Sequence, residues 1–422
     1  MRTLPGILFL LILASSSGAQ EPAKASVLKK GARVAVVGDS ITEQKLYSKY
    51  IETYLLACLP ELDLRVIQLG WSGETAPGFA NRMNNDLMPW RPDVVTTCYG
   101  MNDGSYKAYD ESIGKRYAGA MADIVGRLKK SGATVVVGGP GVVDSKFFQG
   151  GGEKPKVYNA NLQQLGALAK KIAEENGFPF ADVHGAMLQA MEKSKPVLGE
   201  TYDVGGKDGV HPGPNGQLVM AYAFLKAMGI DGRIGTITID LRGKASATDG
   251  HKLTGEETGK VELESTRYPF CFTGDDKSPG GTRSVLPYVP FNADLNRFTL
   301  VVKNLDAAKA KVTWGSASKS FSKEDLEKGV NLAAEFADHP FVEPFRKVES
   351  LVGSKQSFET GMIKAMITQF PRLVDSMGKD KSVEASVEAL RKQLYETHEK
   401  LDASVRTAIL PVKHTIAVAP EK

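Results

Sequence analysis

The sequence predicts an α/β protein: a three-layer α/β/α domain with a central parallel sheet, followed by a small antiparallel β unit and a C-terminal helical arm. From about residue 31 to residue 232, short runs rich in β-branched residues alternate with longer amphipathic stretches, which is the pattern of βαβ units. The short runs are almost continuously apolar, as in strands that are buried on both faces. After residue 232, turn-rich β patterns and then helical periodicity replace this alternation.

The N-terminal segment, residues 1–19, has the features of a secretory signal peptide. Arg2 provides a positive start, Ile7–Leu13 is an apolar run, and Ser17–Ala19 supplies the small residues typical of a cleavage site. A membrane anchor is the weaker alternative, because this run is much shorter than the roughly 20 residues that span a bilayer. We therefore expect a secreted or periplasmic protein with no integral membrane segment after cleavage.

The parallel-sheet domain is expected over residues 31–232. Its predicted strands lie at Arg33–Val37, Leu64–Leu69, Asp93–Cys98, Thr134–Gly138 and Phe178–Val183. Its predicted helices lie at Tyr47–Leu59, Glu111–Lys130, Val157–Glu175 and Asn215–Met228. In such a sheet, binding sites lie at the carboxyl ends of the strands, so residues that directly follow a strand are the candidates for chemistry.

A small β-rich unit is expected over residues 233–320. Turn-rich segments separate its predicted strands, at Ile234–Leu241, Lys260–Glu264, Tyr268–Phe272, Phe298–Lys303 and Lys311–Trp314. The C-terminal strand and tail, residues 411–422, contain a strand-like run, Thr415–Ala419, which we expect to pair with this unit.

A helical arm is expected over residues 321–410. Apolar residues recur three and four apart from about Lys323 to Ala337 and again from about Phe341 to Val405. Three roles stay open for the arm: packing over the core, a lid, and a dimerisation surface that would make a homo-oligomer.

Composition and cysteine usage narrow the partners and cofactors. The net charge is only +4 over 422 residues, and the Lys and Arg residues are scattered, so nucleic acid is not expected as a partner. Cys58, Cys98 and Cys271 form no C-x-x-C pair, and we expect buried free thiols. The sequence contains no metal-type cluster of Cys and His, so neither a metal nor another cofactor is expected.

Four short motifs place chemically useful residues at the carboxyl ends of predicted strands or in a loop that could reach that edge of the sheet. Ser40 follows a Gly-Asp turn after the first strand, Gly73 follows the second strand, and Asn102 follows the third. Asp208 lies three residues before His211, a spacing at which a carboxylate can hold one imidazole nitrogen while the other takes a proton. Together they supply a nucleophile, oxyanion donors, a base and its orienting acid, which is the set that acyl transfer needs.

Each motif also has a structural explanation when it is taken alone. Ser40 could belong to a helix cap, and Gly73 to an ordinary Gly-rich loop. Asn102 could make an Asx-type turn, whereas Asp208 and His211 could lie in a solvated loop. The functional interpretation therefore depends on all four motifs occurring together.

In this order, the motifs resemble the four blocks of the SGNH (GDSL-type) ester hydrolases: Gly38-Asp39-Ser40, Gly73, Gly100-x-Asn102-Asp103 and Asp208-x-x-His211. The resemblance covers roughly residues 31–232 and implies a catalytic domain with the flavodoxin-like SGNH fold. Ile41 replaces the Leu of the short family name, at a permissive position.

The resemblance also implies the roles of the site residues. Ser40 would be the nucleophile, His211 the general base, and Asp208 the partner that orients it. The backbone N–H groups of Ser40 and Gly73, together with the Asn102 amide, would form the oxyanion hole.

The function implied by the resemblance is a secreted serine esterase that cleaves carboxylic esters of a small molecule or glycan through an acyl-enzyme. Because members of this family often act on acetylated sugars, an O-acetylated carbohydrate is the first expectation. The alternatives are a lipid or lysophospholipid esterase, an O-acetyltransferase, and a non-catalytic scaffold protein with a hydrolase-like core. Trp71 and Tyr99 either form a wall for substrate or pack internally, and His184 is either a second site residue or structural.

Overall fold

The computed structural model describes residues 25–376 and 381–421, so the expected signal peptide, residues 1–19, lies outside the described residues. The first sheet has five parallel strands in the order β2-β1-β3-β4-β5. These strands are β1 Arg33–Gly38, β2 Arg65–Gly70, β3 Val94–Cys98, β4 Thr134–Gly138 and β5 Phe180–Ala181. The chain winds in opposite directions from β1, so the crevice between β1 and β3 is the switch point at which ligands bind in such folds.

Helices cover both faces of this sheet. They are α1 Ser40–Glu43, α2 Tyr47–Thr53, α3 Ala76–Asp86, α4 Glu111–Lys130, α5 Glu153–Asn176, α6 Val183–Leu198 and α7 Pro214–Ala227. Alternate residues of β1 face opposite cores, because side chains of a strand alternate. Val34 and Val36 lie in one apolar cluster with α2 and α7, whereas Ala35 and Val37 lie in the other with α3 and α4. This is the predicted three-layer α/β/α arrangement.

Two further sheets follow, in the orders β13-β10-β6-β7 and β12-β11-β14-β9-β8. Their strands are β6 Arg233–Asp240, β7 Ser246–Ala247, β8 His251–Glu257, β9 Lys260–Ser265, β10 Arg297–Lys303, β11 Lys309–Trp314, β12 Ala317–Ser322, β13 Val330–Asn331 and β14 Val412–Glu421. The β6–β10 pair is parallel and the other pairs are antiparallel, so the β-rich part is larger and less uniform than the sequence predicts. The C-terminal strand β14 pairs with β11 and β9, which is the pairing expected from the sequence.

The predicted strand Tyr268–Phe272 is absent from these sheets. Its apolar residues are buried, but its backbone binds the Asn296 side chain and, through Tyr268 N, the carbonyl of Ala57 in the π-helical segment Tyr54–Cys58, instead of a neighbouring strand. Phe270 N donates to Asn296 Oδ1 (2.8 Å), and Asn296 Nδ2 donates back to Phe270 O (3.0 Å). An apolar run alone does not distinguish this buried extended segment from a strand.

The helices that follow residue 320 form the arm. The later helices of the chain are α8 Phe291–Leu295, α9 Lys323–Lys328, α10 Leu332–Glu335, α11 Val342–Gly361, α12 Phe370–Ser376 and α13 Lys381–Thr407. A π-helical segment, Met362–Gln369, joins α11 to α12. The expected helix over 323–337 is broken in two, because Val330 and Asn331 pair with β10. Helix α11 packs against α2, β2 and α13, which places the arm beside the edge strand β2.

One apolar cluster runs through the parallel sheet, the second part of the chain and the C-terminal strand, and it includes Val34, Ile237 and Val418. The boundaries at 31–232, 233–320 and 321–410 stay predictions. All three cysteines are buried and unpaired. Within the part of the chain that the structure describes, no helix has both the length and the apolar character needed to cross a bilayer.

Candidate active site

Ser40 lies where β1 ends and α1 begins. The cap of this helix is Asp39, whose Oδ1 accepts from Ile41 N (3.0 Å), so the Ser40 hydroxyl is not the capping group. Burial, together with the negative charges of Asp103 and Glu74, raises the pKa of Asp39 to about 7, although the Ile41 N–H acts to lower it. The capping explanation for the motif therefore applies to Asp39 and leaves Ser40 available for chemistry.

The turn before Ser40 needs a residue without a side chain. A Cβ on Gly38 would lie 2.1 Å from Thr42 Oγ1 and 2.9 Å from Cys98 O, because β1, α1 and β3 meet there. Gly38 thus allows the nucleophile-bearing turn to sit against the end of the neighbouring strand.

Ser40, His211 and Asp208 form a chain of hydrogen bonds. Ser40 Oγ lies 2.8 Å from His211 Nε2, and His211 Nδ1 lies 2.6 Å from Asp208 Oδ2. The other carboxylate oxygen of Asp208 accepts from the backbone N–H groups of Val210 (2.9 Å) and His211 (2.8 Å), which fixes the carboxylate to the turn that carries the histidine. The three residues that the sequence predicts as a catalytic set are brought together.

The same turn sets the charge state of Asp208. Partial burial acts to raise its pKa, but the N–H groups of His211 and Val210 and the His211 ring outweigh burial and hold the pKa of Asp208 below its ordinary value. Asp208 is therefore a carboxylate at neutral pH. A carboxylate against Nδ1 keeps the proton on that nitrogen and leaves Nε2 free to accept from Ser40.

The Asn102 side chain is held by two neighbours. Its Nδ2 donates to Glu74 O (2.9 Å), and its Oδ1 accepts from the Tyr106 hydroxyl (2.8 Å). An amide has two N–H donors, and no described residue accepts from the second one. Asn102 can therefore donate one hydrogen bond to a ligand without losing its own anchoring.

Gly73 lies on the loop between β2 and α3 with a φ of +72°, a left-handed conformation that favours glycine. No atom lies within 4 Å of a Cβ built on Gly73, so the requirement for glycine comes from the backbone alone. Among the described residues, none accepts from the backbone N–H groups of Ser40 and Gly73. These two groups and the Asn102 amide are the donors that the sequence predicts for an oxyanion hole.

Asp103 connects the two loops that carry Gly73 and Asn102, a role that sequence reasoning missed. Its buried carboxylate accepts from Ala76 N (3.0 Å) at the start of α3 and from Gly100 N (3.0 Å) after β3. Burial raises the pKa of Asp103 to about 6, although both N–H groups act to lower it. The adjacency of Asp103 to Asn102 in one motif was the signal that could have suggested this role.

Glu74 is the second residue that sequence reasoning missed. It is buried and receives two hydrogen bonds from Arg82, at 2.6 and 2.7 Å, and one from the Tyr99 hydroxyl at 2.9 Å. Its backbone carbonyl is the group that anchors Asn102. Tyr99 is fully buried in this network, so it packs internally and does not form a wall of the site.

Two aromatic residues beside the donors are accessible. Trp71 is half-buried between two cations, with the Arg82 guanidinium 4.9 Å and the Lys364 ammonium 5.0 Å from its ring. Tyr106 is 38% exposed, stacks on Phe148 and Tyr158, and has a φ of +55°. Backbone strain of this kind in a non-glycine residue is concentrated at functional sites. Sequence reasoning left Trp71 open and did not single out Tyr106.

His184 does not join the cluster. It is buried, and its Nδ1 lies 3.0 Å from Gly141 O. Burial lowers the pKa of His184, although this backbone contact and Asp182 act to raise it. The contacts therefore favour the structural alternative. Among the described residues, no three His, Cys, Asp or Glu side chains are grouped so that they could hold a metal ion.

The parallel sheet in the order 2-1-3-4-5, with these polar groups at its switch point, is the fold of the SGNH hydrolases. Residues 36–219 match the model of the GDSL-like Lipase/Acylhydrolase family. This part of the chain is a GDSL-type acylhydrolase domain, and the protein is a hydrolase that acts on carboxylic ester bonds.

The similar proteins match either about half of this chain or nearly all of it. A curated acetylxylan esterase from Geobacillus stearothermophilus is 26% identical over 223 residues, which are 48% of this chain and 95% of that enzyme. The solved structure of BT4096, a gut microbial diltiazem-metabolizing enzyme, has a TM-score of 0.72 at 21% identity and covers 93% of this chain and 98% of its own. The structure of LAE5, an alpha/beta hydrolase enzyme from the metagenome of Lake Arreo, Spain, has a TM-score of 0.42 at 23% identity, over 49% of this chain and 98% of its own. The likeness to BT4096 extends the shared fold to the β sheets and the arm.

Proposed function

We propose that this protein is a secreted or periplasmic serine esterase that removes acetyl groups from O-acetylated carbohydrates, with Ser40, His211 and Asp208 as its catalytic residues. The observation that carries the proposal is the continuous chain of short hydrogen bonds from Ser40 Oγ through the His211 ring to Asp208. A serine hydroxyl becomes a nucleophile when a base lies within hydrogen-bond reach and a third group orients that base.

In the first half of the reaction, Ser40 Oγ attacks the ester carbonyl carbon while His211 Nε2 takes the hydroxyl proton. Asp208 stabilises the resulting imidazolium. The tetrahedral intermediate then collapses: the bond to the leaving alcohol breaks, His211 returns the proton to the alcohol oxygen, and an acetyl–Ser40 ester remains. In the second half, His211 takes a proton from a water that attacks this ester; the bond between the acetyl carbon and Ser40 Oγ then breaks, His211 returns the proton to Oγ, and the acetyl group leaves as acetic acid, which ionises to acetate.

Negative charge on the carbonyl oxygen of both intermediates needs donors that are already in place. The N–H groups of Ser40 and Gly73 and the free N–H of Asn102 have the required chemistry. Glu74 and Tyr106 hold the Asn102 amide, so the amide would not need to reorganise when the charge develops.

The proposed substrate class is supported by the name of a similar protein, by the residues around the site and by the N-terminal segment. The curated acetylxylan esterase acts on an acetylated sugar polymer, as its name says. Tyr106 presents an accessible aromatic ring beside Asn102, and aromatic rings with one polar end suit ligands that are partly apolar and partly hydroxylated, as sugars are. The signal-like N-terminal segment supports an extracellular location for such a substrate.

The mechanism is tested by turnover of p-nitrophenyl acetate by the mature protein. We expect Ser40→Ala to lose activity by several orders of magnitude, because no other group forms the acyl-enzyme. Ser145→Ala is the matched control: Ser145 is an exposed serine that also follows a strand of the parallel sheet, and this variant should keep the wild-type rate. A folded Ser40→Ala variant with wild-type turnover would refute the assignment.

The substrate class is tested with a panel of esters. Acetate release from acetylated xylo-oligosaccharides should exceed hydrolysis of p-nitrophenyl decanoate, lysophosphatidylcholine and diltiazem, when compared as kcat/KM. Preference for a long-chain lipid ester would replace the carbohydrate assignment. Product that depends on an added sugar acceptor would identify an O-acetyltransferase, and no labelling by a fluorophosphonate would indicate a non-catalytic scaffold.

A further inference from the structure

The helical arm supplies the polar partners that a neighbouring strand would otherwise give to β2. In the sheet order, β2 is an edge strand, and such an edge presents unpaired N–H and C=O groups. Two fully buried side chains of α11 bind these groups: Lys355 Nζ donates to Val66 O (2.5 Å), and Glu359 Oε2 accepts from Gln68 N (3.0 Å). The arm therefore fixes the path of β2 towards the loop that carries Gly73.

A third contact from the arm reaches the loop itself. Lys364, in the π-helical segment, donates to both carboxylate oxygens of Glu43, at 2.8 and 2.9 Å. Glu43 Oε2 in turn accepts from the backbone N–H of Ser72 (2.5 Å), the residue before Gly73. Partial burial acts to raise the pKa of Glu43, but Lys364 and Ser72 outweigh it and hold the pKa of Glu43 below its ordinary value. Glu43 is therefore an anion that links the arm to the loop.

The position of Glu43 gives this contact its significance. Glu43 ends helix α1, which begins at Ser40, so one side chain connects the helix of the nucleophile to the loop of the predicted oxyanion donor. On the other side of the loop, Asp103 binds Ala76 N and Gly100 N. The Gly73 loop is thus held from two sides, by Glu43 with Lys364 and by Asp103.

We propose that Lys364 and Glu43 are a positioning pair that holds the Gly73 N–H in the geometry of the oxyanion hole, so that the arm forms part of the active centre. This inference rests on the proposed function, because it assigns a role to the Gly73 N–H. Of the roles left open for the arm, this inference supports neither a lid nor a dimerisation surface, because the contacts join the arm to its own catalytic domain. Neither residue touches the substrate or exchanges a proton in this role.

The test compares Lys364→Met with a matched variant at another ion pair between the arm and the domain. Lys49 in α2 lies 3.3 Å from Glu349 in α11, and its side chain is as exposed as that of Lys364, at 23%. Lys49→Met weakens docking of the arm without touching the Gly73 loop. Both variants are measured for thermal unfolding, for kcat and KM on p-nitrophenyl acetate, and for the affinity of a phenylboronic acid, whose tetrahedral adduct on Ser40 uses the oxyanion donors.

We expect Lys364→Met to lower kcat about 10-fold with KM within twofold, since loss of a whole oxyanion donor costs about 10²–10³ and this change only loosens one. Boronic acid affinity should fall in parallel. Lys364→Arg keeps the charge and should restore most of kcat, and Glu43→Gln, which keeps an acceptor for Ser72 N, should lose less than Lys364→Met. Lys49→Met should match the wild type in kcat.

Wild-type kcat in Lys364→Met, or an equal loss in Lys49→Met, would overturn the inference while leaving the esterase mechanism intact, provided that Ser40→Ala is inactive. Full activity of Ser40→Ala would overturn the proposed function and this inference together.

Discussion

Replacing Lys355 by Met should lower the free energy of unfolding by about 3–5 kcal/mol at pH 8, which is the cost of breaking a buried ion pair from one side. The ammonium of Lys355 lies among three buried carboxylates, 2.6 Å from Glu52, 3.0 Å from Glu359 and 3.8 Å from Asp402. Methionine fills a similar volume but removes the one ammonium that faces all three carboxylates in a medium of low dielectric. Glu52 would then keep only the Gln356 amide as a donor, whereas Glu359 keeps His398 and Asp402 keeps Arg406. With an unfolding entropy of about 2.1 cal/mol/K per residue over about 400 residues, each kcal/mol corresponds to about 1.2 °C, so the melting temperature should fall by about 4–6 °C.

Replacing a carboxylate of the same network, in Glu52→Gln, should have the opposite effect on stability. Burial raises the pKa of Glu52 from 4.5 to about 7, even though Lys355 acts to lower it. Because this folded-state pKa lies above the unfolded value, the stability that Glu52 contributes is full at pH 4 and is lost as the pH rises towards 7. At about 1.4 kcal/mol for each pKa unit, the loss is on the order of 3 kcal/mol. Glu52→Gln cannot ionise, so its stability relative to the wild type should rise between pH 4.5 and 7.

Urea unfolding at pH 5, 6.5 and 8 measures both effects. In Lys355→Met, the carboxylates face each other without the ammonium, so their folded-state pKa values rise further, and the deficit relative to the wild type should grow with pH. Lys49→Met, at a partly exposed ion pair, should cost less than about 1 kcal/mol at every pH. The reasoning is refuted if Lys355→Met lies within 1 kcal/mol of the wild type at pH 8, or if its deficit does not change with pH.

Two substitutions at the candidate site should lower kcat on p-nitrophenyl acetate, each by a stated factor. Asn102→Ala should lower kcat about 10²–10³-fold with little change in KM, because its N–H would act mainly on the charge of the intermediate; an equal rise in KM would instead indicate a role in binding the ground state. Asp208→Asn should lower kcat about 10⁴-fold at pH 8, since an amide can donate to His211 Nδ1 and favours the wrong tautomer. A decrease of less than 10-fold for Asp208→Asn would contradict the assignment of Asp208 as the orienting carboxylate.

The parallel sheet could be predicted from sequence because its strands are buried on both faces and leave continuous apolar runs. Helix α3 could not, because Ala76–Asp86 carries Pro, Gly and four Asn or Asp residues and has few apolar positions. The structure shows that Thr75 caps this helix, with its Oγ1 accepting from Gly78 N, and that Phe79 and Met83 provide its buried face. These few apolar residues, with Ala76, were enough for a helix that other elements cover, but they are too few to give a periodic signal.

The candidate site likewise contains residues that could be predicted from sequence and residues that could not. Ser40 and Asn102 could be predicted because each follows a strand in a short motif, and His211 because it lies three residues after Asp208 in the loop before α7, so local sequence carries the information. The partners of the Gly73 loop could not be predicted, because Lys364 is 321 residues from Glu43 in sequence and contacts it only after the arm has folded back. A lysine on an amphipathic helix gives no sign, by itself, of whether it faces solvent or a carboxylate of the active centre.

The arm is an insertion into the β-rich part of the protein, and this position allows its role to be tested by deletion. Its helices α11 to α13 lie between α10 and β14, and β14 is the central strand of its sheet, so truncation before α11 would also remove the middle of that sheet. The ends of the arm are close together, since the rings of Phe341 and His414 are 4.9 Å apart. Residues 343–409 can therefore be replaced by a short Gly-Ser linker that keeps β14 in place.

Such a deletion variant should keep its β sheets but expose the edge of β2, where Val66 O and Gln68 N would lose their partners from the arm. We expect concentration-dependent association in size-exclusion chromatography, retained β signal in circular dichroism, and a lower kcat than that of Lys364→Met, because all three contacts along β2 and its loop are lost at once. A monomeric deletion variant with wild-type kcat would show that the catalytic domain holds β2 and the Gly73 loop without the arm.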